Sequence, residues 1–150
     1  MHFSITPIER EEYPVVVDLW EASVRATHHF LREADIQYFR PLILEQYLDA
    51  VTLRAGRDAA GNIMGFLGVA DDGLEMLFLH PDHRGKGLGG VLLTYAIREM
   101  GVRKVDVNEQ NEGALGFYRH YGFRLVGRSP LDGTGKPYPI LHLELSATPG

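Results

Sequence analysis

Residues 73–90 constrain the fold of this chain more than any other stretch, because they combine an apolar segment, a proline and a cluster of glycines. The apolar segment, residues 74–79, is short enough for a β-strand. Pro81 ends that strand, since proline cannot donate a hydrogen bond to a sheet ladder. Apolar residues then recur at helical spacing from Leu88 onwards. The stretch therefore predicts a strand, a glycine loop and a helix in direct succession.

The glycines at the start of this helix are energetically costly. Gly89 and Gly90 stand in its first turn, and each glycine inside a helix costs about 1 kcal/mol relative to alanine. A helix N-terminus offers unpaired N–H groups and the positive end of the helix dipole, which together bind phosphate. Arg84 and Lys86 add positive charge beside it. We therefore expect a phosphate-bearing ligand to lie against the loop backbone, although a glycine-rich turn that only caps the helix is the simpler alternative.

Length, charge and cysteine content narrow the function classes. A chain of 150 residues predicts a single domain over 1–150. The formal net charge of −5 argues against non-specific binding to nucleic acid or to anionic membranes. The absence of cysteine excludes disulfides, thiolate metal sites and a cysteinyl acyl-enzyme, and it fits a reducing compartment. Because neither a signal peptide nor a membrane-spanning apolar run is visible, we expect a cytoplasmic protein.

The remaining patterns predict a chain of mixed strands and helices. Helices are expected with Pro14 in the first turn, over residues 35–49 with Asp35 as N-cap, from Leu88, and from Asn111. Gly122 is expected to be the left-handed residue that ends the last helix. Strands are expected at residues 3–8, 51–57, 63–70, 74–79, 102–108, 123–128 and 138–145.

Three phosphate-binding motifs compete for the glycine loop. A Walker-type loop is excluded, because Lys86 is followed by Gly87 rather than by serine or threonine. Gly85, Gly87 and Gly90 do spell the dinucleotide fingerprint G-x-G-x-x-G. That fingerprint should turn directly off a strand in a longer, doubly wound sheet, whereas here Pro81 intervenes. A nicotinamide dinucleotide binder is therefore kept as an alternative.

The third motif resembles one of the GNAT superfamily of N-acetyltransferases. Residues 84–89, R-G-K-G-L-G, are similar to the family's acyl-CoA pyrophosphate loop, R-x-x-G-x-G. Residues 111–123, N-E-G-A-L-G-F-Y-R-H-Y-G-F, resemble its second signature, N-x-x-A-x-x-F-Y-x-x-x-G-F. The order of elements also matches, so that the resemblance covers nearly the whole chain. It implies an α/β fold with a central mixed sheet of about seven strands flanked by about four helices.

The resemblance also implies where acetyl-CoA, the co-substrate, would bind. The backbone of the 74–79 strand would pair with the pantetheine arm, and N–H groups of the loop would hold the pyrophosphate. Asn111 would bond the cofactor arm while it caps its helix, and Tyr118 would reach the thioester sulfur, although spacing alone would make it a core aromatic. The cofactor-binding residues are thus expected to be Leu77, Phe78, Leu79, Arg84, Gly85, Lys86, Gly87, Leu88, Gly89, Asn111 and Tyr118.

The implied reaction moves an acetyl group from acetyl-CoA to a primary amine of a small molecule or peptide. With no cysteine present, direct attack in a ternary complex is expected. Tyr118 and Glu75 are the expected catalytic residues: Tyr118 would donate to the departing sulfur, and Glu75, the one charge in an apolar strand, would act as the base. Asp106, on the neighbouring predicted strand, and His28 are alternative bases.

The acceptor side is expected at the end of the first helix. His28 and Phe30 would bind the acceptor, together with Tyr138 of the last hairpin, and the negative chain favours a cationic amine. No metal is expected, because loop histidines such as His80 and His83 more often face solvent. A catalytically silent acyl-CoA-binding or regulatory module is the alternative function, and a homodimer is left open.

Overall fold

The computed structural model describes residues 3–146, and this part of the chain contains seven strands and four α-helices. The strands are β1 (Ser4–Pro7), β2 (Thr52–Arg57), β3 (Ile63–Ala70), β4 (Gly73–Leu79), β5 (Lys104–Asn108), β6 (Phe123–Ser129) and β7 (Ile140–Leu145). The helices are α1 (Tyr13–Thr27), α2 (Glu33–Leu42), α3 (Leu88–Met100) and α4 (Glu112–His120). The predicted α/β class and element order are confirmed.

Contacts divide the chain into two compact units, Met1–Val102 and Arg103–Gly150. The first holds β1–β4 with α1, α2 and α3, and the second holds β5–β7 with α4. The single domain over 1–150 stays a prediction. Among residues 3–146, none of the helices has both the length and the apolar character needed to span a bilayer.

In the first unit, β1 to β4 form an antiparallel sheet in chain order. Asp58 closes the β2–β3 hairpin, because its Oδ1 accepts hydrogen bonds from the backbone N–H of Ala60 and of Asn62 at 3.0 and 2.9 Å. β3 is buried along most of its length, and its Phe66 lies opposite Phe78 of β4. The meander predicted from the apolar runs is therefore confirmed, and β4 delivers the chain to the glycine loop.

Helix α1 covers this sheet with one apolar stripe. Pro14 stands in its first turn, as predicted, where its missing N–H costs nothing. Each fully buried aliphatic side chain contributes about 1.5–3 kcal/mol relative to an exposed one, so the stripe anchors the helix. The buried core formed by α1 and its neighbours comprises Val16, Val17, Leu19, Trp20, Val24, Ile36, Ile43, Leu48, Leu53 and Phe66.

The second helix differs from the prediction at both ends. It begins at Glu33 with Arg32 as N-cap, so Asp35 is not the cap; its buried carboxylate instead accepts a hydrogen bond from Arg32 Nε at 3.3 Å. Pro41 lacks an N–H and interrupts the α-helical ladder. The chain continues as a wider π-helical turn over Ile43–Tyr47 and a 3₁₀ turn over Leu48–Ala50. The predicted helix over 35–49 is therefore three different helical segments.

In the second unit, β7 lies between β5 and β6, and both pairings are antiparallel. One face of β5 and β7 is apolar and buried, with Val105, Val107, Leu141 and Leu143. β6 carries a register shift between Leu125 and Gly127, which leaves Val126 as an extra residue. Gly122 ends the α4 segment with a φ of 97°, confirming the predicted left-handed residue.

Candidate active site

The glycine loop joins β4 to α3 through a 3₁₀ turn, Pro81–His83. Gly85 and Gly87 have φ angles of 76° and 85°, in the left-handed region that favours glycine. A Cβ built on either residue would meet nothing within 4 Å, so their backbone conformation, and not crowding within the described chain, requires glycine. The space beside the loop is open to a ligand.

Helix α3 begins without a side-chain cap. Gly87 is its N-cap, and the first backbone bond runs from Val91 N–H to Gly87 O at 3.2 Å. The N–H groups of Leu88, Gly89 and Gly90 therefore precede the helical ladder, as those of any first turn do. With the exposed Arg84 and Lys86 on the preceding loop, this end of the helix has the charge and the donors that an anion requires.

Leu88 holds this end of the helix against the sheet. Its side chain is fully buried, and a Cβ built at Gly56 would stand 2.8 Å from Leu88 Cδ1, while one at Gly65 would stand 3.2 Å from Leu88 Cδ2. The two sheet glycines therefore make room for this leucine. Of the predicted loop residues, Leu88 can offer a ligand only its backbone.

The predicted pantetheine-binding residues end β4 next to this loop. Leu77, Phe78 and Leu79 lie opposite Leu67, Phe66 and Gly65 of β3, and all three are partly exposed. Pairing extends one residue further, because His80 N–H donates to Met64 O at 2.8 Å. The turn after this last bond carries the chain into the glycine loop.

Glu75 occupies a β-bulge in the same strand. Met76 lies opposite Gly68 and Leu74 lies opposite Val69, so Glu75 is the additional residue of β4 at this point. A bulge re-aims its side chain, and bulges are frequent beside active sites. The Glu75 side chain is exposed, which explains how a charge is accommodated in an otherwise apolar strand.

His28 and Phe30, which sequence analysis proposed for the acceptor side, lie together just after α1. The His28 ring centroid lies 5.3 Å from that of Phe30 and 6.3 Å from that of Phe78 on β4. Sequence analysis placed Phe78 only in the cofactor site, because nothing in the chain order pairs it with α1. These three rings, the aromatic cluster, form a partly buried apolar patch.

The hydrogen bonds of Thr27 fix the tautomer of His28. Thr27 Oγ1 donates its single proton to Ser23 O at 2.9 Å. In the 2.7 Å hydrogen bond between Thr27 Oγ1 and His28 Nδ1, the imidazole N–H is therefore the donor and the hydroxyl oxygen is the acceptor. Burial, with smaller contributions from Arg84 and His29, lowers the pKa of His28 to about 4. At pH 7 the ring is therefore neutral, with the proton on Nδ1 and the lone pair on Nε2.

In the second unit, α4 carries both residues of the second motif. Asn111 is its N-cap and accepts a hydrogen bond from Ala114 N–H at 3.1 Å, as predicted. Tyr118 is buried, with its ring 5.2 Å from Phe117 and 5.7 Å from Phe123. Burial raises the pKa of the Tyr118 phenol above its usual value. The hydroxyl thus keeps its proton at neutral pH and can serve as a donor.

The structure also joins Asp106 to two residues that sequence analysis missed. Asp106 Oδ1 lies 2.7 Å from His142 Nδ1, and His142 Nε2 lies 2.7 Å from Ser129 Oγ. The three residues come from β5, β7 and β6, and only the strand register brings them together. Across residues 3–146, no group of three or more histidine, aspartate or glutamate side chains is placed to hold a metal ion.

Comparisons with known proteins agree with this geometry. A family model described as an acetyltransferase (GNAT) domain matches residues 50–125. The peptidyl-lysine N-acetyltransferase YjaB of Escherichia coli (strain K12) is 37% identical over 143 residues, covering 95% of this chain and 97% of that protein. The solution structure of apo-form YjaB from Escherichia coli superimposes with a TM-score of 0.90 at 36% identity, covering 99% and 100% of the two chains.

A more distant structure shares the fold. The PaiA N-acetyltransferase from Thermoplasma acidophilum, solved in complex with coenzyme A, has a TM-score of 0.76 at 18% identity. It covers 97% of this chain and is itself covered completely, at 100%. The two proteins therefore share their fold over nearly the full length of this chain.

Proposed function

Because this chain belongs to the GNAT superfamily and is an acetyl-CoA-dependent N-acetyltransferase, we propose that its acceptor is the ε-amine of a peptidyl lysine. The observation that carries this proposal is the 37% identity, over 95% of this chain, to a peptidyl-lysine N-acetyltransferase. Because the chain is a member of this enzyme family, we no longer favour the two alternative functions, a catalytically silent acyl-CoA module and a dinucleotide binder. The homodimer stays open.

Acetyl-CoA binding is assigned mainly to backbone groups of the glycine loop and of β4. The N–H groups at the start of α3 and the charges of Arg84 and Lys86 suit the pyrophosphate, and the open space beside Gly85 and Gly87 admits it. The partly exposed end of β4, at Leu77, Phe78 and Leu79, suits the amides of the pantetheine arm. Asn111 serves the arm as well as its helix. These roles follow the family motif and agree with the exposure of each residue.

The aromatic cluster gives the acceptor an apolar contact. A lysine side chain has an apolar stem that packs on rings while its amine extends beyond them. His28 is neutral at pH 7, so it does not repel a cationic acceptor. We assign His28 and Phe30 to the acceptor.

Glu75 remains the proposed base. A lysine ammonium has a pKa near 10.4, so a base must take its proton before the amine can attack the thioester. Glu75 is exposed on its bulge, where it can take the proton through a water molecule. Asp106 is engaged with His142 and is the alternative base.

Tyr118 is proposed to donate a hydrogen bond to the departing sulfur. Once the neutral amine has attacked the thioester carbonyl, negative charge moves to sulfur as the C–S bond breaks. A phenol with a raised pKa does not transfer its proton fully to a thiolate, since thiols titrate near 8.5. Its hydrogen bond instead strengthens as the charge develops, which favours the transition state over the ground state.

A thiol-release assay tests the acceptor class. Wild-type protein would be offered acetyl-CoA with lysine peptides, the same peptides pre-acetylated on the ε-amine, spermidine and free amino acids. We expect coenzyme A release only with free peptidyl lysine, and mass spectrometry should locate the acetyl group on Nζ. Release with spermidine or amino acids and none with peptides would retain the enzyme class and reject the lysine assignment.

A pair of histidine variants tests the aromatic cluster. His28→Ala should raise the KM for the peptide several-fold and leave the acetyl-CoA affinity unchanged, because the ring is assigned to the acceptor only. The matched control is His29→Ala, the exposed neighbour. Weakened acetyl-CoA binding with a normal peptide KM would move the cluster to the cofactor side.

A further inference from the structure

The residues Asp106, His142 and Ser129 form a hydrogen-bonded chain that the acetyl-transfer proposal does not require. They stand on the three strands of the second unit, on the face opposite the buried Val105, Val107, Leu141 and Leu143. Both contacts, Asp106 Oδ1 to His142 Nδ1 and His142 Nε2 to Ser129 Oγ, measure 2.7 Å. The chain thus runs from carboxylate to imidazole to hydroxyl across neighbouring strands.

The chemistry of the groups fixes the direction of this chain. An ionised carboxylate can only accept, so in the neutral imidazole the proton is on His142 Nδ1. Nε2 then has its lone pair directed at Ser129 and accepts the hydroxyl proton. Aspartate orients the imidazole, and the imidazole is ready to take a proton from the serine oxygen. This is the arrangement that makes a serine nucleophilic.

The strands hold the imidazole in place. Gly127 lies opposite His142 in the register, and a Cβ built on Gly127 would stand 3.5 Å from His142 Cδ2. The ring therefore lies over Gly127 at van der Waals distance and reaches across β6 to Ser129. Ser129 is itself partly exposed, and the side chains of His142 and Asp106 are 37% and 61% exposed, so a small molecule can approach the serine from solvent.

We propose that Ser129 is an activated nucleophile and forms a second acyl-transfer site, which takes its acyl group from small esters. Ser129 Oγ bonds to the ester carbonyl carbon while its proton passes to His142 Nε2. The C–O bond to the leaving group then breaks, and the alcohol or phenol departs with that proton. Water adds to the acyl-serine in the same way, which releases the acid and restores Ser129.

The leaving group decides which esters react. The hydrogen-bonded chain supplies a nucleophile and a base, so the esters that suit it are those whose alcohol departs readily, such as aryl esters. The site uses neither the glycine loop nor acetyl-CoA. Ser129 and His142 have no assigned role in N-acetyl transfer, so variants of these two residues separate the two activities.

A fluorophosphonate probe tests the nucleophile directly. Ser129 Oγ would bond to phosphorus, fluoride would leave, and the proton would pass to His142. We expect one adduct per wild-type chain, located at Ser129 by tandem mass spectrometry, and release of p-nitrophenolate from p-nitrophenyl acetate. Ser129→Ala should abolish the adduct, and His142→Gln should slow labelling about 100-fold, at the low end of general-base effects. Asp106→Asn should also slow it, by up to about 10⁴-fold, because the amide does not hold the imidazole in the required tautomer.

Matched variants separate this site from general surface reactivity. Ser4→Ala removes another exposed strand serine, and His120→Gln removes another exposed histidine, so both should label at the wild-type rate. Circular dichroism would confirm that each variant is folded. The proposal would be overturned if Ser129 of the wild-type protein carried no adduct. It would also be overturned if Ser129 were labelled at the same rate in His142→Gln as in the wild type. Locating the adduct in the wild-type protein tests the proposal even if one of the variants does not fold.

Discussion

The glycine loop before α3 and the aromatic segment of α4 match two signatures of one family, yet they use opposite physical means. The loop is exposed, and what it offers is backbone held in a left-handed conformation by Gly85 and Gly87. Helix α4 offers a side chain, Tyr118, that is buried and packed like any core aromatic. A backbone site therefore shows in a sequence as costly residues, whereas a side-chain site looks like ordinary core.

The largest effect is expected where the backbone carries the function. Gly87→Val should abolish measurable acetyl-CoA binding in isothermal titration, because a branched side chain strains a φ of 85° and occupies the open space beside the loop. Gly61→Val is the matched control: its φ is 89°, with equally open surroundings, in the β2–β3 hairpin. It should share the strain and keep the affinity. Unchanged affinity in a folded Gly87→Val protein would contradict the loop assignment.

The next largest effect is expected on turnover, from removing the hydroxyl group of Tyr118 in α4. Tyr118→Phe keeps the ring and its packing, so folding and acetyl-CoA affinity should be preserved. The kcat should fall at least about ten-fold, since donors to a reacting group contribute about 10²–10⁴-fold. Tyr121→Phe, whose ring lies 5.1 Å from Phe117 on the same segment, is the control and should retain turnover. A normal kcat for Tyr118→Phe would make Tyr118 a core aromatic only.

His28 tests whether burial disfavours the charged form of a side chain in the first unit, as it does for Tyr118. Its pKa is about 4 in the folded chain and near 6.5 when unfolded, so the unfolded state binds more protons between these values. The free energy of unfolding should therefore fall as pH drops from 6.5 towards 4, by about 1–3 kcal/mol.

Urea unfolding at pH 7 and at pH 4.5 would measure this loss. His28→Gln should remove most of it, and His120→Gln reports the effect of losing an exposed histidine elsewhere. An identical pH dependence in wild type and His28→Gln would show that the imidazole is not desolvated.

The smallest effect is expected from replacing Gly116, a glycine to which we assign no function. Gly116 stands inside α4, and a Cβ there would meet nothing within 4 Å. Gly116→Ala should stabilise the protein by about 1 kcal/mol and raise its Tm by about 2–4 °C, with kcat unchanged. Thermal unfolding monitored by circular dichroism measures this. Destabilisation would mean that this glycine, like Gly87, has a backbone role.

Most of the fold could be predicted because periodicity and turn residues act locally. Apolar runs bounded by glycine and aspartate located β2, β3 and β4, and the Asn111 and Gly122 positions bounded the last helix. The second helix was predicted wrongly, because Asp35 looks like a cap in the sequence while Arg32 occupies that position in the structure. Pro41 was the local signal that the helical segment would not continue unchanged.

The candidate site could be predicted only where its residues are contiguous. The glycine loop and α4 are such stretches. The bulge at Glu75 depends on how β4 pairs with β3, and the contact of Ser129 with His142 depends on the register of β6 against β7. The register of two paired strands cannot be deduced from the sequence of either strand alone. The sequence therefore does not reveal that Ser129 contacts His142 or that Glu75 lies in a bulge.

The extra residue Val126 has a consequence for the behaviour of the protein at high concentration. β6 is the outer strand of the second unit, and Leu125 and Val126 expose 47% and 49% of their surface. A long, flat apolar strand in that position would recruit strands from other molecules and seed fibrils. The bulge twists β6, and the charged Arg124 and Arg128 flank it. The bulge and the two flanking charges thus make β6 a poor template for strands from other molecules.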